Sequence, residues 1–260
     1  MPITAGIAYS LHEGGKPGQP FFILVHGAGG SQLSWTPGLR RLPGTNVLAI
    51  DLPGHGRSPR PALQSIQAYT DCLEELRAAL QLDQIVLVGH SMGGAISLTY
   101  ALHYPQRVSR LCLISTGAYL GVAPDLLEQF SNMSSIPLGV TKFLQRAFSP
   151  SAKPILVQES TRMLLENRPS VIQADWRACA AFDLREAVTN ILTPTWIIAG
   201  SEDQLTPLAY AHFLANRLAN ARLTVVPGGS HMLVLEKPQV VSQVLVSISN
   251  ELVPPALRHS

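Results

Sequence analysis

Charged residues are scarce in this sequence, and neither sign dominates. Asp, Glu, Lys and Arg make up 14% of the 260 residues, and the formal net charge is +2. Lys and Arg are scattered rather than gathered in a basic arm, so the composition predicts no nucleic-acid partner and no anionic membrane surface. The hydrophobic share of 46% is instead typical of a globular chain with a large core.

Cysteines and long apolar runs are also few. The three cysteines, Cys72, Cys112 and Cys179, include no C-x-x-C pair, which argues against a zinc ribbon and favours free thiols in a reducing compartment. No apolar run approaches the ~20 residues that span a bilayer. Residues 1–6 lack the charged and apolar regions of a signal peptide. We therefore expect a cytoplasmic protein without a membrane span.

Short apolar runs that end in Gly- or Pro-rich turns recur along the chain and predict buried strands. Continuous runs, unlike alternating patterns, are typical of parallel strands that are covered on both faces. Helical patterns fill the gaps, for example the apolar residues spaced 3, 4, 3 and 4 apart after Ser65, a predicted N-cap. These features predict the α/β class with a doubly wound, mostly parallel sheet. The runs are 21–25, 47–50, 85–88, 111–114, 196–199 and 223–226.

One stretch, residues 117–190, interrupts this rhythm because it contains helical patterns without a clear buried strand. An insert between two strands of one sheet is expected above the carboxyl ends of the strands, where ligands bind. We interpret it as a helical cap, with ordinary packing helices on the sheet face as the alternative. The predicted domains are a core of residues 1–116 and 191–260 and a cap of residues 117–190. The tail from Leu252 is expected to be loosely held.

A G-x-S-x-G pentapeptide, Gly89 to Gly93, follows the third run and precedes a helical pattern. This context is that of a nucleophile elbow, in which a strained serine projects its hydroxyl from the sheet edge. The two flanking glycines allow strand and helix backbones to approach closely. We predict that Ser91 is a nucleophile rather than an inert serine in a tight turn. The Met92 N–H should then point toward developing negative charge.

A serine nucleophile needs a base, and the base needs an orienting carboxylate. Position selects His231 among the eight histidines, because it follows the last run and so lies at the same sheet edge as Ser91. Asp203 follows the run 196–199 at that edge, with Glu202 as its nearest rival. The predicted catalytic residues are therefore Ser91, Asp203 and His231.

The loop after the first run is rich in glycine and should supply the second N–H of an oxyanion hole. We expect Ala28 to be this donor, with Gly29 as the runner-up. Residues 26–30 contain neither of the glycine-rich patterns that bind phosphate. His26 and His55 also lie at strand ends, but they precede the nucleophile and are expected to tie loops together.

Together with the D-x-P-G-x-G-x-S turn at residues 51–58, these motifs resemble those of the α/β-hydrolase superfamily, in its serine carboxylesterase and lipase branch. The resemblance covers nearly the whole chain except the cap. It implies eight strands with the cap after strand six, and hydrolysis through an acyl-enzyme without a metal or other cofactor. Relatives with aspartate at the elbow, the epoxide hydrolases and haloalkane dehalogenases, differ from this chain at Ser91.

The predicted function is hydrolysis of a small to medium, largely apolar carboxylic ester by a monomer or homodimer. Other chemistries on the same triad stay open: carbon–carbon bond hydrolase, lactonase, thioesterase, and acyltransferase or haloperoxidase. A slow-turnover ligand sensor on this fold also stays open. The predicted pocket contains cap and loop residues for which ordinary core packing is the alternative. They are Gly29, Phe130, Phe143, Met163, Trp176, Leu205 and Met232.

Overall fold

The computed structural model describes residues 1–252 and contains one eight-stranded sheet. Its strands are β1 (Ile3–Thr4), β2 (Ile7–Glu13), β3 (Phe21–Val25), β4 (Asn46–Asp51), β5 (Ile85–His90), β6 (Val108–Ile114), β7 (Thr195–Gly200) and β8 (Ala221–Val226). They lie in the order β1-β2-β4-β3-β5-β6-β7-β8. β2 pairs antiparallel with both β1 and β4, and the five remaining pairs, from β4–β3 to β7–β8, are parallel. The predicted fold class is confirmed, while the tail beyond Leu252 lies outside the described residues.

Ten α-helices connect and cover these strands within residues 1–252. They are α1 (Pro37–Arg40), α2 (Ile66–Ala79), α3 (Met92–His103), α4 (Pro124–Ser131), α5 (Ile136–Ala147), α6 (Pro154–Leu165), α7 (Pro169–Ala181), α8 (Leu208–Arg217), α9 (Leu233–Glu236) and α10 (Pro238–Leu252). The predicted cap at Ser65 is present, since its hydroxyl accepts a hydrogen bond from the Ala68 N–H at 3.2 Å. Across the same described residues, no helix is both long and apolar enough to cross a membrane.

The sheet has an apolar core on each face, because successive side chains of a strand point to opposite sides. Along β5, Ile85 and Leu87 belong to the core that includes residues of α2, α3 and α8. Val86 and Val88 belong to the core that includes residues of α1 and α10. A strand that supplies both cores must be apolar at every position, and this explains the continuous runs in the sequence.

The structure differs from the sequence prediction at both edges of the sheet. The strands β1 and β2 are not among the predicted apolar runs. The start of β2 is buried, but after Ser10 its residues alternate between exposed and half-buried, so it has no continuous apolar run. At the other edge, the run that forms β8 was expected to be buried on both faces. It pairs with β7 alone, and Val225 is 38% exposed.

The four helices α4 to α7 lie between β6 and β7 and form the expected cap, with an apolar core of their own. Proline occupies the first or second position of each, where its missing N–H costs no intrahelical bond. Met232, from the loop after β8, packs into this core. The cap is thereby joined to the carboxyl edge of the sheet, and the bounds at residues 117 and 190 stay a prediction.

Candidate active site

Ser91 occupies the sharp turn between β5 and α3, with φ +54° and ψ −118°. A positive φ is unfavourable for a residue with a side chain, so the surrounding structure must hold it. The Ser91 N–H donates to the Ile114 carbonyl at 3.0 Å. The Ser91 carbonyl accepts from the Thr116 hydroxyl at 2.8 Å. Both partners lie at the end of β6 or just after it, so the neighbouring strand fixes the turn.

The backbones of β5, α3 and β3 meet closely around this turn. A Cβ atom added to Gly89 would lie 2.2 Å from the Gly93 carbonyl oxygen. A Cβ atom added to Gly93 would lie 2.1 Å from the Val25 carbonyl oxygen. No larger residue fits at either position without backbone movement, as the elbow pattern predicts.

His231 links Ser91 to a buried carboxylate. Its Nε2 lies 3.0 Å from Ser91 Oγ, and its Nδ1 lies 2.9 Å from Asp203 Oδ2. Both residues are almost fully buried: His231 is 2% exposed and Asp203 is 6% exposed. Glu202, the rival carboxylate, points into solvent. The structure thus brings the three predicted residues into one hydrogen-bonded chain.

The surroundings of Asp203 favour the ionised form of its carboxylate. Burial alone would raise its pKa, but the adjacent His231 and the hydrogen bonds that Asp203 accepts hold the pKa below its usual range. The Thr206 hydroxyl donates to Oδ2 at 2.8 Å, and the N–H groups of Leu205 and Thr206 donate to Oδ1 at 2.9 Å. The carboxylate can therefore accept the Nδ1–H of His231 and leave Nε2 as the acceptor of the serine proton.

His90 binds the backbone of His231, a role that was not predicted from the sequence. Its Nε2 donates to the His231 carbonyl at 2.9 Å, and the two ring centroids lie 5.1 Å apart. Burial, reinforced by the proximity of His231, lowers the pKa of His90 to about 3. His90 is therefore a neutral hydrogen-bond donor at physiological pH.

The glycine-rich loop after β3 forms a turn over residues 27–30, closed by the Gly30 N–H donating to the Gly27 carbonyl at 3.0 Å. The Gly29 N–H is already engaged, because it donates to Asp175 Oδ2 at 2.8 Å. The Ala28 N–H has no acceptor among residues 1–252. Of the two candidates for the oxyanion donor, only Ala28 therefore has a free N–H.

Met92 can supply the second free N–H. It is the first residue of α3, where N–H groups lack intrahelical acceptors and carry the positive end of the helix dipole. Its position directly after the strained Ser91 aims this helix end at the nucleophile. Ala28 and Met92 therefore stay the predicted pair of amide donors for an anionic oxygen.

The loop-tying role expected for His26 and His55 is confirmed. His26 Nε2 accepts the Leu52 N–H at 3.0 Å, and its Nδ1 donates to the Gly27 carbonyl at 2.8 Å. Burial and the nearby His55 lower the pKa of His26 to about 4, so the ring is neutral. His55 contacts Pro53 and the cap residue Asp175.

A cavity of about 310 Å³ lies between the cap and the core, with Ser91 and His231 in its wall. Its lining is mostly apolar, and the ion pair of Asp125 with Arg146, 2.8 Å apart, lies in the cap wall. Six of the seven predicted pocket residues line it: Gly29, Phe143, Met163, Trp176, Leu205 and Met232. Sequence reasoning missed further apolar lining residues, which are Leu120, Val122, Leu126, Leu144, Leu164 and Leu235.

Phe130 is the predicted pocket residue that does not line the cavity. Its ring stacks on the ring of Trp176, with centroids 4.4 Å apart and planes 8° apart. Only 2% of Phe130 is exposed, because it lies in the cap core behind Trp176. The helical pattern places Phe130 on the apolar face of α4, but it cannot distinguish residues that line the cavity from residues packed behind them.

Most of the chain matches a family of known proteins. Residues 22–244 match the model of a family described as "Alpha/beta hydrolase family". A pimeloyl-[acyl-carrier protein] methyl ester esterase of Neisseria meningitidis is 29% identical over 222 residues, which cover 80% of this chain and 85% of that protein.

Solved structures extend the likeness to the whole fold. A thermophilic esterase is 31% identical, with a TM-score of 0.81 and coverage of 96% of each chain. An N-acyl homoserine lactone degrading enzyme is 27% identical, with a TM-score of 0.79 and coverage of 93% of this chain and 96% of that chain.

Proposed function

This chain belongs to the alpha/beta hydrolase family, and we propose that it is a serine hydrolase that cleaves a small to medium, largely apolar carboxylic ester. The observation that carries the proposal is the 3.0 Å contact between Ser91 Oγ and His231 Nε2 in the wall of an apolar cavity. An esterase of 31% identity and a methyl ester esterase of 29% identity support the substrate class.

In the acylation half of the proposed reaction, His231 Nε2 removes the proton of Ser91 as Oγ attacks the ester carbonyl carbon. The carbonyl oxygen becomes an anion between the N–H groups of Ala28 and Met92. Each such donor lowers the barrier by about 3–4 kcal/mol. His231 then gives its proton to the leaving alcohol, and Ser91 keeps the acyl group.

In the deacylation half, water takes the place of the alcohol. His231 removes a proton from the water, and the resulting hydroxide attacks the acyl carbon. The oxyanion forms in the same pair of amides and collapses with release of the carboxylic acid. His231 returns the proton to Ser91 Oγ, and Asp203 stabilises the imidazolium in both halves without taking the proton itself.

The cavity favours an apolar acyl or alcohol group. Phe143, Trp176 and Met232 face a space of about 310 Å³, the lower end of the range for ligand pockets. Lactones, thioesters and competing acyl acceptors fit the same mechanism, because they differ only in the leaving group or in the nucleophile that replaces water. Product analysis with added alcohol or peroxide separates hydrolysis from transfer and perhydrolysis.

Replacement of the nucleophile tests the proposal. Ser91→Ala should lower the turnover of p-nitrophenyl butyrate by about 10⁴-fold or more, because it removes the atom that forms the acyl-enzyme. Ser109→Ala is the matched control. Its hydroxyl bonds the Ile85 carbonyl at 3.1 Å at the opposite edge of the sheet, and its activity should equal that of the parent. Retention of most activity by Ser91→Ala would overturn the proposal.

A further inference from the structure

The cap holds Gly29 of the oxyanion loop from both sides. Its N–H donates to Asp175 Oδ2 of α7 at 2.8 Å. Its carbonyl accepts from Asn167 Nδ2, on the turn between α6 and α7, at 2.8 Å. The peptide groups before and after the Gly29 Cα are therefore both bound by side chains of the cap. The second of these peptides is also held within the loop, where the Gly30 N–H donates to the Gly27 carbonyl at 3.0 Å.

The Asp175 bond acts on the central peptide of the turn, and the Asn167 bond acts on the peptide that follows it. In the turn over residues 27–30, Gly29 is the third residue, with φ +64°, whereas Ala28 has no positive φ. This combination is that of a type II turn. Types I and II differ in the orientation of the peptide between the second and third residues, here the Ala28–Gly29 peptide. Rotation to type I would turn the Gly29 N–H away from Asp175.

The Asp175 carboxylate is fully buried and accepts from three donors. Besides Gly29, the Tyr69 hydroxyl donates to Oδ1 at 2.7 Å and His55 Nε2 donates to Oδ2 at 2.7 Å. His55 Nδ1 lies 3.0 Å from the Pro53 carbonyl, which can only accept. Both ring nitrogens of His55 must therefore carry hydrogen, and the ring is an imidazolium paired with the carboxylate.

The direction of the two pKa values agrees with this ion pair. Burial would lower the pKa of His55, but the adjacent Asp175 carboxylate raises it above its ordinary value. Burial would raise the pKa of Asp175, but His55 and the donated hydrogen bonds hold it below its ordinary value. The side chains of both residues are 0% exposed. The Asp175 carboxylate is therefore a buried, ionised acceptor for the Gly29 N–H, and water cannot replace it there.

We propose that Asp175 and Asn167 are positioning residues: through them the cap fixes both peptides of Gly29, and so the turn whose preceding Gly27–Ala28 peptide presents the Ala28 N–H to the oxyanion. The inference rests on the proposed function, because it assigns these residues to the geometry of that reaction. It makes the cap part of the catalytic apparatus in addition to being the wall of the pocket.

Asp175→Asn tests the inference with almost no change of shape. Without the carboxylate, His55 loses its proton and keeps Nδ1–H on the Pro53 carbonyl, so Nε2 becomes an acceptor. The amide NH₂ must then face Nε2, at the position of Oδ2, while the amide oxygen accepts from Tyr69. Every partner is satisfied except the Gly29 N–H, which faces a donor. The substitution therefore releases the loop selectively.

We expect Asp175→Asn to lower kcat for p-nitrophenyl butyrate by roughly 10- to 100-fold, because small misplacements of an oxyanion donor have effects of this size. KM should change by less than about threefold, since the bond matters for the transition state. The rate at which a fluorophosphonate labels Ser91, followed by mass spectrometry, should fall in the same ratio. A defect in cap packing alone would instead raise KM.

Asn167→Leu removes the second contact, together with the bonds from Nδ2 to the Met163 and Leu164 carbonyls at the end of α6. It tests the inference independently if Asp175→Asn does not fold. It should lower kcat and the labelling rate in the same manner. Its matched control is Gln173→Leu, because Gln173 Nε2 bonds the Ser131 carbonyl at 2.8 Å entirely within the cap. For the aspartate, the control is Asp183→Asn, whose side chain is exposed after α7. Both controls should behave like the parent.

The outcomes separate the inference from the proposed function. If the parent protein hydrolyses the ester and labels at Ser91, yet Asp175→Asn and Asn167→Leu match it within twofold, the inference is overturned and the proposed function stands. If the parent neither hydrolyses any ester nor labels at Ser91, the proposed function fails and the inference falls with it. Parallel losses of kcat and labelling in both variants support the inference.

Discussion

Acidification should destabilise this fold through two buried histidines, His26 and His90. Burial lowers the pKa of His26 from 6.5 to about 4 and that of His90 from 6.5 to about 3. In the unfolded chain both rings titrate near the ordinary value. As the pH falls below 6.5, the unfolded chain therefore binds protons that the folded chain does not. The contribution of these two neutral rings to the free energy of unfolding is complete above pH 6.5. It is lost progressively as the pH falls toward their folded-state pKa values.

The size of the loss follows from the distance in pH. Between pH 7.5 and pH 5, each histidine should lower the free energy of unfolding by about 2 kcal/mol, which is about 1.4 kcal/mol for each unit below 6.5. The sum, about 4 kcal/mol, is a large part of the roughly 5–15 kcal/mol that stabilises a typical domain. His55 acts in the opposite direction above pH 6.5, because its raised pKa keeps it protonated in the folded chain while the unfolded chain loses the proton. Below pH 6.5 it is protonated in both states and adds no loss.

Urea unfolding at a series of pH values measures the effect, and His90→Gln isolates half of it. The glutamine Nε2 can replace the ring Nε2 as donor to the His231 carbonyl, but it cannot be protonated. This variant should therefore lose about 2 kcal/mol less than the parent between pH 7.5 and pH 5. His103→Gln, at an exposed site near the end of α3, should keep the full loss. A His90→Gln protein with the parent's pH dependence would refute the reasoning.

Two further substitutions test the site and its backbone. Asp203→Asn should lower kcat for p-nitrophenyl butyrate by about 10⁴-fold with little change in KM, because an amide can hold His231 in the wrong tautomer; a loss below tenfold would contradict the assigned role. Gly93→Ala places a Cβ atom 2.1 Å from the Val25 carbonyl oxygen and should reduce the free energy of unfolding by about 3 kcal/mol in urea titrations. Gly38→Ala, where no atom lies within 4 Å of the added carbon, is its control, and equal stability of the two variants would contradict the steric argument.

The central sheet was predictable because its signal is local. Strands such as β5 contribute side chains to both cores, so every residue must be apolar. A continuous apolar run in the sequence therefore predicts such a strand directly. The edges lack this condition. After Ser10, β2 alternates between half-buried and exposed residues, and β8 has one neighbour in the sheet, so a continuous run there overstated its burial. Edge strands are defined by what they pair with, which local sequence does not contain.

The arrangement around Ser91 was predictable for a topological reason. Parallel strands bring their carboxyl ends to one edge, so residues that follow β5, β7 and β8 meet there regardless of their separation in sequence. Ser91, Asp203 and His231 each follow one of these strands, and His231 lies within hydrogen-bond distance of both Ser91 and Asp203. The place of Phe130 behind Trp176 follows no such rule, because it depends on how α4 and α7 pack.

The contacts of Asp175 and Asn167 lay beyond the reach of sequence patterns for the same physical reason. Gly29 is 146 residues from Asp175 and 138 from Asn167, and no rule of strand order connects a cap helix to a particular loop of the core. One signal was present, since apolar residues lie three and four positions from Asp175 on both sides, at 171, 172, 178 and 179, and a charge on such a helix face must have partners. The pattern reveals that a partner exists but does not identify it. Because those partners include the oxyanion loop, the segment that shapes the pocket also constrains the amide proposed to stabilise the transition state, and substitutions in the cap need not act on substrate binding alone.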